Sequence, residues 1–521
     1  MKKFRIVLII TMALLLTGGA VRFFKIYGKR SSAGKDFREN TVYFLLTDRF
    51  ADGDKNNNDI YGDEYIPGDL KFYQGGDFRG LIDNLDYIKD MGFSAIWITP
   101  PVCQPPGAYT NSSETYSAAG YHGYWAWDFS KIDPHLESEG ATYQDLIKAA
   151  HAKGLKVIQD IVANHAHGGD VSPKVKWADG HLQVSGLGQT YDFGKDTQNW
   201  FTHEGPVLAD LLDFNDKNPK TEQWLADIYK KYQDMGVDAF RVDTLAWMRP
   251  EFWKFFADEL HRHKKDFFIF GEYWTNDDYA ALSGFTKMSD GDMMNSSMSV
   301  LDMPGSAMGG WGLFEKVFKG GDYSDIDAVL EHDKDYKDAS YLVTFLDNHD
   351  KPRFNSPASP ASEQQYIDAL NYYFTARGIP CVYYGTEIGM SGGDEPDNRK
   401  MLGEDNIKKA PTNPIYKRIK ELNAIRRSDE ALQKGSQTKL SSSRDQYAFR
   451  RDYKGHSVYV YLNKSGTAEP AVMELPAGEY KDLASGTVYT SDGRPVLLEV
   501  GAHSARVMSA VPRRGFLSRI F

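Results

Sequence analysis

Short apolar or β-branched runs alternate with stretches of helical periodicity along the chain from residue 41 to about residue 420. The runs are Val42–Thr47, Ala95–Thr99, Leu155–Asp160, Ala239–Asp243, Phe267–Gly271, Ser299–Asp302, Leu342–Leu346 and Ile379–Tyr384. The helical stretches between them include Leu81–Met91, Tyr143–Lys153, Thr221–Met235, Glu251–Lys264 and Ser362–Ala376. Such alternation indicates parallel strands joined by helical crossovers. The pattern therefore predicts an α/β fold in which residues 41–420 form a (β/α)8 TIM barrel.

Two regions depart from this alternation. A polar, glycine-rich stretch at about 166–217 follows the third run and predicts an inserted loop domain. After about residue 420 the pattern changes to period two, bounded by turn residues, which is typical of antiparallel strands. Three runs carry this signal: Gln446–Arg451, Ser457–Leu462 and Val496–Glu499. Residues 421–511 are therefore predicted to form a small C-terminal antiparallel β-domain.

The first residues have the pattern of an export signal. Lys2, Lys3 and Arg5 precede the apolar run Ile6–Leu16, and Gly18–Ala20 offers small residues for cleavage. Residues 1–20 are thus expected to be a signal peptide or a retained membrane anchor, followed by a linker at 21–40. A secreted or extracellular protein is predicted, with a membrane tether as the alternative. Residues 512–521 form a basic, apolar tail.

Composition narrows the possible partners. The chain has 61 Lys and Arg against 72 Asp and Glu, a formal net charge of −11, so no nucleic-acid partner is expected. Two cysteines, Cys103 and Cys381, rule out a disulfide scaffold. They follow strand two and open strand eight, at opposite ends of a barrel, so no disulfide between them is expected. No assembly signal is present, and a monomer is expected.

Acidic residues stand beside several predicted strand ends, where the active sites of barrels lie. Asp243, Glu272 and Asp350 are the candidates for chemistry. Glycoside hydrolysis uses two carboxylates, and in the retaining case one attacks the sugar while the other carries a proton. Arg241 is two residues before Asp243, so both side chains of a strand there point the same way. A guanidinium beside Asp243 is expected to keep it ionised, whereas Glu272 would need a raised pKa.

The segments around these acids resemble the four ordered signature segments of the α-amylase family, glycoside hydrolase family 13. The segments are Asp160–His165, Gly236–Asp243, Gly271–Trp274 and Phe345–Asp350. Their order, spacing and strand positions match, and the resemblance covers about 41–511. It implies that Asp243 is the nucleophile, Glu272 the general acid/base and Asp350 the stabiliser of the transition state.

The resemblance also implies contacts to the sugar at the cleaved bond. Arg241 matches the arginine beside the nucleophile, and His165 and His349 match histidines that hydrogen-bond the sugar in subsite −1. Tyr121–Trp125 resembles a substrate-stacking segment, in which Tyr124 lies under that sugar and His122 beside it. A ring can pack against the apolar face of a sugar.

Further substrate contacts are implied by segments that match the family's pattern less closely. Glu395 and Arg399 resemble a donor-side clamp for sugar hydroxyls, although the family usually has Asp where Glu395 stands. Phe201 matches an acceptor-side aromatic position of cyclodextrin glucanotransferases. The family's amylases commonly carry Lys-His after the nucleophile, where this chain has Ala246 and Trp247. A lysine contact to the leaving-side sugar is therefore lost, and Trp247 is expected to stack there instead.

An oxygen-rich loop is predicted to bind calcium, which takes six to eight oxygen ligands. An EF-hand is excluded, because Asn57 stands where the loop needs Gly and Asp63 where it needs Glu. The loop resembles the N-terminal calcium loop of cyclodextrin glucanotransferases. That resemblance implies six ligands: Asp52, Asp54, Asn57, Asn58, the Gly75 carbonyl and Asp77.

A second calcium site is implied between the barrel and the inserted domain. Asn164 matches its first ligand, and Asp213 lies in a segment similar to the family's fifth signature. The backbone carbonyl of Trp247 would complete the site. The resemblance thus predicts one or two structural Ca²⁺ ions.

The family resemblance predicts a retaining α-amylase acting on α-1,4-glucan bonds in starch, glycogen or maltodextrins. Another family activity, as a glucanotransferase, maltogenic amylase or cyclodextrin hydrolase, is the alternative, and a non-catalytic glucan-binding protein is the remote one. Cyclodextrin glucanotransferases carry a central ring in a segment that has no counterpart between Gly205 and Asp210. Their extra C-terminal domains also have no counterpart. Both differences favour hydrolysis over cyclisation.

Overall fold

The protein is described by a computed structural model. The described residues are 36–110, 115–167, 174–176, 183–185, 196, 199–202, 208, 211–275, 277–305 and 313–511. The expected leader at 1–20, residues 21–35 of the expected linker and the tail at 512–521 lie outside them. Among the described helices, none is both long enough and apolar enough to cross a bilayer.

Eight parallel strands form the barrel, and we number them β1 to β8 in chain order. They are Val42–Leu45, Ala95–Ile98, Lys156–Ile161, Ala239–Val242, Phe268–Gly271, Ser299–Val300, Val343–Phe345 and Ile379–Tyr383. Each strand pairs with its neighbours in sequence, β1 pairs with β8, and a bridge from Leu301 to Val343 closes the ring. The predicted (β/α)8 barrel is confirmed, and only β3 ends beyond its predicted run.

Helices cover the outside of the barrel where the periodicity predicts them. Their bounds are Phe78–Asp83, Leu85–Asp90, Tyr143–Ala152, Pro219–Met235, Pro250–His263, Tyr279–Thr286, Leu313–Phe318, Ile326–Leu330, Glu363–Thr375, Gly403–Lys409, Pro414–Arg427 and Glu430–Lys434. The stretch predicted as one helix at Leu81–Met91 is split at Asn84. There the Asn84 amide donates to the Gly80 carbonyl at 2.9 Å, which competes with the helical hydrogen bonds.

The inserted region is larger than the pattern predicted. Its four-stranded sheet has the order Gln183–Ser185, Lys174–Lys176, Asp128–Ile132 and Val102–Cys103. Two of these strands come from the connection after β2, before the expected start at about 166. Short strands at Tyr109–Thr110 and Ser117–Ala118 form a hairpin in the same connection, and His165–Ala166 pairs with Leu212–Asp213.

The C-terminal region contains the predicted antiparallel sheet. Its six strands lie in the order Ser436–Ser442, Gln446–Tyr453, His456–Asn463, Ser504–Ala510, Gly478–Asp482 and Val488–Ser491. A separate pair, Glu469–Met473 with Val496–Val500, covers a small core that includes Met473, Tyr480 and Met508. The first strand begins at Ser436, so helices occupy the start of the range 421–511.

Two buried arginines join this region to the barrel just before β8. Arg451 donates to the carbonyl oxygens of Thr375 at 2.7 Å and Gly435 at 2.9 Å. Arg426 donates to the carbonyls of Phe374 and Ala376 at 3.1 and 3.2 Å. Three of these carbonyls, of Phe374, Thr375 and Ala376, lie at the end of helix Glu363–Thr375, where backbone carbonyls lack helical partners, and Gly435 follows helix Glu430–Lys434.

Both cysteines are buried and free. Cys103 lies in the sheet of the inserted region, whereas Cys381 is in the middle of β8. The expectation that they form no disulfide is confirmed.

Candidate active site

A cleft of about 600 Å³ opens at the carboxyl ends of the barrel strands. The residues that line it include ten of those singled out from the sequence: His122, Tyr124, His165, Asp243, Trp247, Glu272, His349, Asp350, Glu395 and Arg399. The barrel brings them together from connections far apart in the chain. Arg241 lies behind the cleft, fully buried.

Arg241 holds the two central carboxylates. Its Nη1 is 2.8 Å from Asp243 Oδ1, and its Nη2 is 2.7 Å from Glu272 Oε1. The contact to Glu272 is an ion pair that lacks hydrogen-bond alignment. Asp243 and Glu272 directly follow β4 and β5, which are neighbours in the barrel. One guanidinium therefore keeps both carboxylates on the same side of the cleft.

Arg241 lowers the pKa of Asp243, as expected, but burial acts more strongly in the opposite direction. Burial raises the pKa of Asp243 well above its usual value, and Arg241 offsets this only in part. The negative charges of Glu272, Asp160 and Asp350 raise that pKa further. Burial, then the charge of Glu272, also raises the pKa of Asp350 to about 8. Burial and the negative charge of neighbouring carboxylates thus both disfavour the ionised forms of Asp243 and Asp350.

Asp160 is a functional residue that sequence reasoning did not assign. It pairs with Arg241 across the β3–β4 register, with Oδ1 2.9 Å from Arg241 Nη1. Its Oδ2 accepts hydrogen bonds from the Tyr124 hydroxyl at 2.7 Å and the Trp97 indole at 3.1 Å. Asp160 therefore positions both Arg241 and Tyr124. The first position of the first signature segment, which Asp160 occupies, could have indicated from the sequence that this residue belongs to the site.

On the far side of the cleft, Arg399 joins Asp350 to Glu395. Arg399 Nη1 is 2.6 Å from Glu395 Oε1, and Nη2 is 3.3 Å from Asp350 Oδ1. Arg399 also donates through Nε to the carbonyl of His349 at 2.9 Å. The pair Glu395–Arg399 thus forms an ion pair and also lies at the cleft surface.

Aromatic rings form the wall beside these acids. Tyr124 stacks on His349 at 5.3 Å between centroids, and His122 lies against Tyr124 at 5.8 Å. His165 Nε2 is 3.0 Å from the carbonyl oxygen of Tyr124. Burial lowers the pKa of His165 to about 4, and that of His122 and His349 well below its usual value. These imidazoles are neutral near pH 7 and can hydrogen-bond sugar hydroxyls.

On the acceptor side, Phe201 lines an adjoining cavity of about 690 Å³ rather than the catalytic cleft itself. It stacks on Phe214 at 5.3 Å and is only 1% exposed. The rings at the cleft mouth are instead Trp247, 40% exposed, and Trp274, 51% exposed. Tyr116 of the hairpin lines the same cleft. Neither Trp274 nor Tyr116 was singled out from the sequence, since exposure cannot be read from residue type.

Backbone strain sits next to Asp243. Thr244 has φ 54° and ψ 46°, a left-handed conformation that costs a β-branched residue energy. Its hydroxyl is buried without a hydrogen-bond partner. Such strain persists where the surrounding structure imposes it, and it clusters at active sites.

The oxygen-rich loop has buried oxygens with no hydrogen-bond donor. These are Asp52 Oδ1, Asn57 Oδ1 and Asn58 Oδ1. A Cβ on Gly75, at φ 91°, would come within 2.6 Å of the Asn58 amide nitrogen. The backbone at Gly75 therefore packs closely against the Asn58 side chain. Asp77 instead caps helix Phe78–Asp83, accepting from Gly80 N at 2.7 Å and Asp54 N at 2.8 Å. Asp54 Oδ1 accepts hydrogen bonds from the backbone and amide of Asn56.

The second implied calcium site also has a buried side-chain oxygen without a hydrogen-bond donor. Asn164 Oδ1 is buried without a partner, while the Asn164 amide donates to Asp213 Oδ1 at 3.2 Å. Burial raises the pKa of Asp213 to about 6. Within the described residues, no three His, Cys, Asp or Glu side chains cluster as a metal site. Both candidate sites depend on Asn side chains or backbone carbonyls.

A barrel that gathers three carboxylates around a buried arginine in an aromatic-walled cleft has the architecture of a glycoside-cleaving enzyme. The family model for the α-amylase catalytic domain matches residues 44–417. The chain belongs to the α-amylase family, glycoside hydrolase family 13.

Curated relatives carry two kinds of name. The chain is 31% identical over 511 residues to a cyclomaltodextrin glucanotransferase of Niallia circulans, covering 91% of this chain and 67% of that protein. It is 32% identical over 474 residues to a β/α-amylase of Paenibacillus polymyxa, covering 88% of this chain and 36% of that protein. The chain thus spans about two thirds or less of the length of these relatives.

Solved structures divide in the same way. A cyclomaltodextrin glucanotransferase with a three-domain ABC distribution matches with TM-score 0.77 and 29% identity, over 91% of this chain and 99% of that chain. The α-amylase of Geobacillus thermoleovorans, complexed with acarbose, matches with TM-score 0.71 and 27% identity, over 92% and 99%. Hydrolases and transferases are therefore about equally similar to this chain.

Proposed function

We propose that the protein hydrolyses α-1,4-glucosidic bonds in starch, glycogen or maltodextrins, with retention, as an α-amylase. The observation that carries the proposal is the group formed by Asp243, Glu272 and Arg241. One guanidinium contacts both carboxylates, and Asp350 lies in the same cleft. Retaining hydrolysis needs two carboxyl groups close together, whereas inversion needs room for a water molecule between them.

The chemistry follows from these positions. Glu272 protonates the glycosidic oxygen as the bond breaks, and Asp243 attacks the sugar carbon to form a covalent ester. Glu272, now ionised, takes a proton from water, which attacks that carbon and releases Asp243. Asp350 and the neutral His165 and His349 hold the sugar while its ring carries positive charge. Two inversions at one carbon give net retention.

The lining of the cleft near Leu208 bears on the choice between hydrolysis and cyclisation. The central ring of cyclodextrin glucanotransferases is expected to have no counterpart between Gly205 and Asp210, and most of this segment lies outside the described residues. Leu208 of the segment and the neighbouring Leu211 line the cleft with aliphatic side chains. The expected argument from missing C-terminal domains does not discriminate. A glucanotransferase of three domains matches this chain over 99% of its own length.

The rival function is another activity of this family, as a maltogenic amylase, a cyclodextrin hydrolase or a glucanotransferase, and only the last of these is defined by transfer to a second glucan. The exposed Trp247 and Trp274 at the cleft mouth favour transfer, because both could hold a sugar acceptor. A purely glucan-binding role is opposed by the complete set of Arg241, Asp243 and Glu272.

A product profile decides between these functions. The purified protein is incubated with soluble starch and calcium, and products are resolved by anion-exchange chromatography. We expect mixed linear maltooligosaccharides. Cyclic products, or chains longer than a defined maltooligosaccharide substrate, would instead establish transfer. Absence of any product would overturn the proposed enzyme.

We propose that calcium binds both oxygen-rich sites. Asp52, Asn57 and Asn58 would offer their buried oxygens at the first, with Asp54, Asp77 and the Gly75 carbonyl around them. Asn164, Asp213 and the Trp247 carbonyl would form the second. The support is that buried oxygens without donors are costly unless a cation or water satisfies them. Calcium would supply only positive charge at these sites, which would hold the oxygen ligands of each site together.

Removal of the metal tests this proposal. A ligand that binds only the folded protein stabilises it by mass action. We expect chelation with EGTA to lower the melting temperature, and added Ca²⁺ to restore it. Asn58→Leu and Asn164→Leu should each reduce the calcium-dependent part of that shift. An unchanged melting temperature after chelation would contradict calcium binding.

We also propose that the protein acts outside the cytoplasm, either secreted or tethered by its first residues. The support is the charged and apolar pattern of residues 1–20. Cell fractionation with N-terminal sequencing of the recovered protein tests it. A cytoplasmic protein with an intact first segment would overturn the proposal.

A further inference from the structure

One buried histidine that does not line the cleft has a carboxylate at each ring nitrogen. His135 Nδ1 is 2.7 Å from Asp133 Oδ1, and His135 Nε2 is 2.8 Å from Glu64 Oε1. All three side chains are at most 3% exposed. An ionised carboxylate only accepts hydrogen bonds, so an imidazole between two of them carries a proton on both nitrogens. His135 is therefore an imidazolium ion that holds two acidic side chains together.

The surroundings of His135 favour this charged form. Burial lowers the pKa of His135, but the hydrogen bonds and charges of Asp133 and Glu64 together raise it to about 10. The Tyr73 ring stacks on the imidazole at 3.9 Å between centroids, and the Tyr61 ring meets it edge-on at 6.1 Å. The histidine thus stays charged at neutral pH and is fixed by a ring on its face.

Glu64 connects this histidine to the hairpin at the cleft. Glu64 Oε2 accepts a hydrogen bond from the Gly107 backbone at 2.9 Å, and Oε1 accepts another from the Tyr61 backbone at 2.8 Å. Gly107 lies just before the hairpin whose Tyr116 lines the cleft. The position of the hairpin therefore depends on the Glu64 carboxylate.

Asp133 connects the histidine to the aromatic wall of the cleft. Asp133 Oδ2 accepts a hydrogen bond from the Gln104 backbone at 2.7 Å. The Gln104 side chain accepts from the Trp125 backbone at 2.8 Å and donates to the Gly123 carbonyl at 3.0 Å. Gly123 and Trp125 flank Tyr124, which lines the cleft. Gln104 therefore fixes the backbone on both sides of the Tyr124 ring.

We propose that His135 is a positioning residue for the aromatic wall of the cleft. The proposal rests on the proposed function, and it names how this chain holds Tyr116 and Tyr124 against the glucan. One positive charge fixes two carboxylates, and each carboxylate fixes a stretch of backbone that leads to one of these rings. Without the imidazolium, two buried carboxylates lose the charge that joins them, and both stretches are released.

Hydrogen exchange tests this link without any substrate. His135→Phe keeps a ring against Tyr73 but removes both N–H donors, and Glu64→Gln keeps the shape of Glu64 but removes its charge. Local opening sets the exchange rate of protected amides, so we expect His135→Phe to raise it at least about threefold in peptides 102–110 and 120–127. Glu64→Gln should raise it mainly in peptide 102–110. Peptides from the barrel strands should exchange as in the wild type.

The matched control is His263→Phe. His263 is a solvent-exposed histidine whose Nε2 is 2.7 Å from Asp234 Oδ1, in a different part of the barrel. Its replacement also removes a histidine–carboxylate contact. Both peptides should keep their wild-type exchange rates in this variant.

Binding then tests whether the link reaches the glucan. Isothermal titration with maltoheptaose compares Asp243→Ala with Asp243→Ala/His135→Phe. The dissociation constant should rise roughly three- to tenfold, the effect of about one lost hydrogen bond, at unchanged stoichiometry. A merely structural role would instead lower the fraction of competent protein, and hence the stoichiometry, without moving Kd. Adding Gln104→Ala should raise Kd little further, because both residues act through one series of contacts.

The outcomes separate this inference from the proposed function. If Asp243→Ala binds no maltoheptaose, the glucan-cleaving function fails, and hydrogen exchange alone decides whether His135 holds the two stretches. If it binds, but His135→Phe leaves exchange and Kd unchanged, His135 positions nothing. Faster exchange with an unchanged Kd also overturns the proposal, since the link then stops short of the glucan. Should His135→Phe fail to fold, Glu64→Gln takes its place in both measurements.

Discussion

Buried arginines at the two ends of the barrel have different partners. At the carboxyl ends of the strands, Arg241 contacts the carboxylates of Asp160, Asp243 and Glu272. Just before β8, Arg426 and Arg451 contact backbone carbonyls. The partner carboxylates raise the pKa of Arg241 despite its burial, whereas burial lowers the pKa of Arg451 to about 9.

The difference separates catalysis from stability. Carboxylates can exchange protons, so a guanidinium among them controls which group is charged during a reaction. Backbone carbonyls cannot exchange protons at any accessible pH, so a guanidinium on them only fixes the chain. Barrels place catalysis at the carboxyl ends of their strands and stability at the other end.

The largest expected effect concerns the carboxylates on Arg241. Asp243→Ala removes the nucleophile and Glu272→Gln removes the proton donor, so each should lower kcat at least about a thousandfold on soluble starch. The initial rate of reducing-end release measures this. Each variant should keep the circular dichroism spectrum of the wild type. Undiminished hydrolysis by either folded variant would refute the assignment of the site.

The next effect concerns the other end of the barrel. Arg451→Met leaves two buried carbonyls without donors and should lower the free energy of unfolding by roughly 2–5 kcal/mol. Chemical denaturation measures it, with kcat expected to stay at the wild-type value.

The control for this change is Arg494→Met. Arg494 is an exposed arginine of the same region, with a side chain 86% exposed, and its replacement should leave stability nearly unchanged. If Arg451→Met is as stable as that control, carbonyl capping does not stabilise the junction. If Arg451→Met remains folded but loses activity, the assignment of catalysis to one end of the barrel and stability to the other is wrong.

The smallest effect is on pH dependence. Asp243 must be ionised to attack, and its pKa is raised first by burial and then by neighbours that include Asp160. Asp160→Asn removes one negative charge, which lowers that pKa. The acid limb of the kcat/KM profile should therefore move to lower pH by about one unit.

Asp397→Asn is the comparison for this shift. Asp397 is a half-buried acid paired with Lys400, outside the cluster around Arg241. The acid limb of the Asp397→Asn variant should stay where it is in the wild type. An acid limb that is unchanged in Asp160→Asn, or that moves to higher pH, would show that Asp160 does not set the charge of Asp243.

The barrel and its acids could be predicted because local patterns determine them. Alternating runs fix strand order, and an acid directly after a parallel strand must lie at the common carboxyl edge. Asp243 and Glu272 reach one guanidinium for this reason. The charge balance could not be predicted, since it depends on the burial of four carboxyl groups together.

Long-range pairing accounts for the other differences. The strand Val102–Cys103 joins the inserted sheet through partners distant in sequence, which period-two counting cannot detect. Phe201 has the residue type of an acceptor contact, yet it stacks on Phe214 and lines the adjoining cavity rather than the catalytic cleft. Trp247 and Trp274 take the exposed positions. Residue type limits what a side chain can do, and packing decides whether it is accessible.

The two buried cysteines can be used to detect local opening of the structure. Burial raises the pKa of both thiols, so neither is a thiolate near neutral pH and neither reacts with alkylating reagents while covered. Cys103 becomes reactive when the inserted sheet separates, and Cys381 when β8 leaves the barrel. Their labelling rates, resolved by peptide mass spectrometry, therefore report the two opening events separately, without any engineered probe.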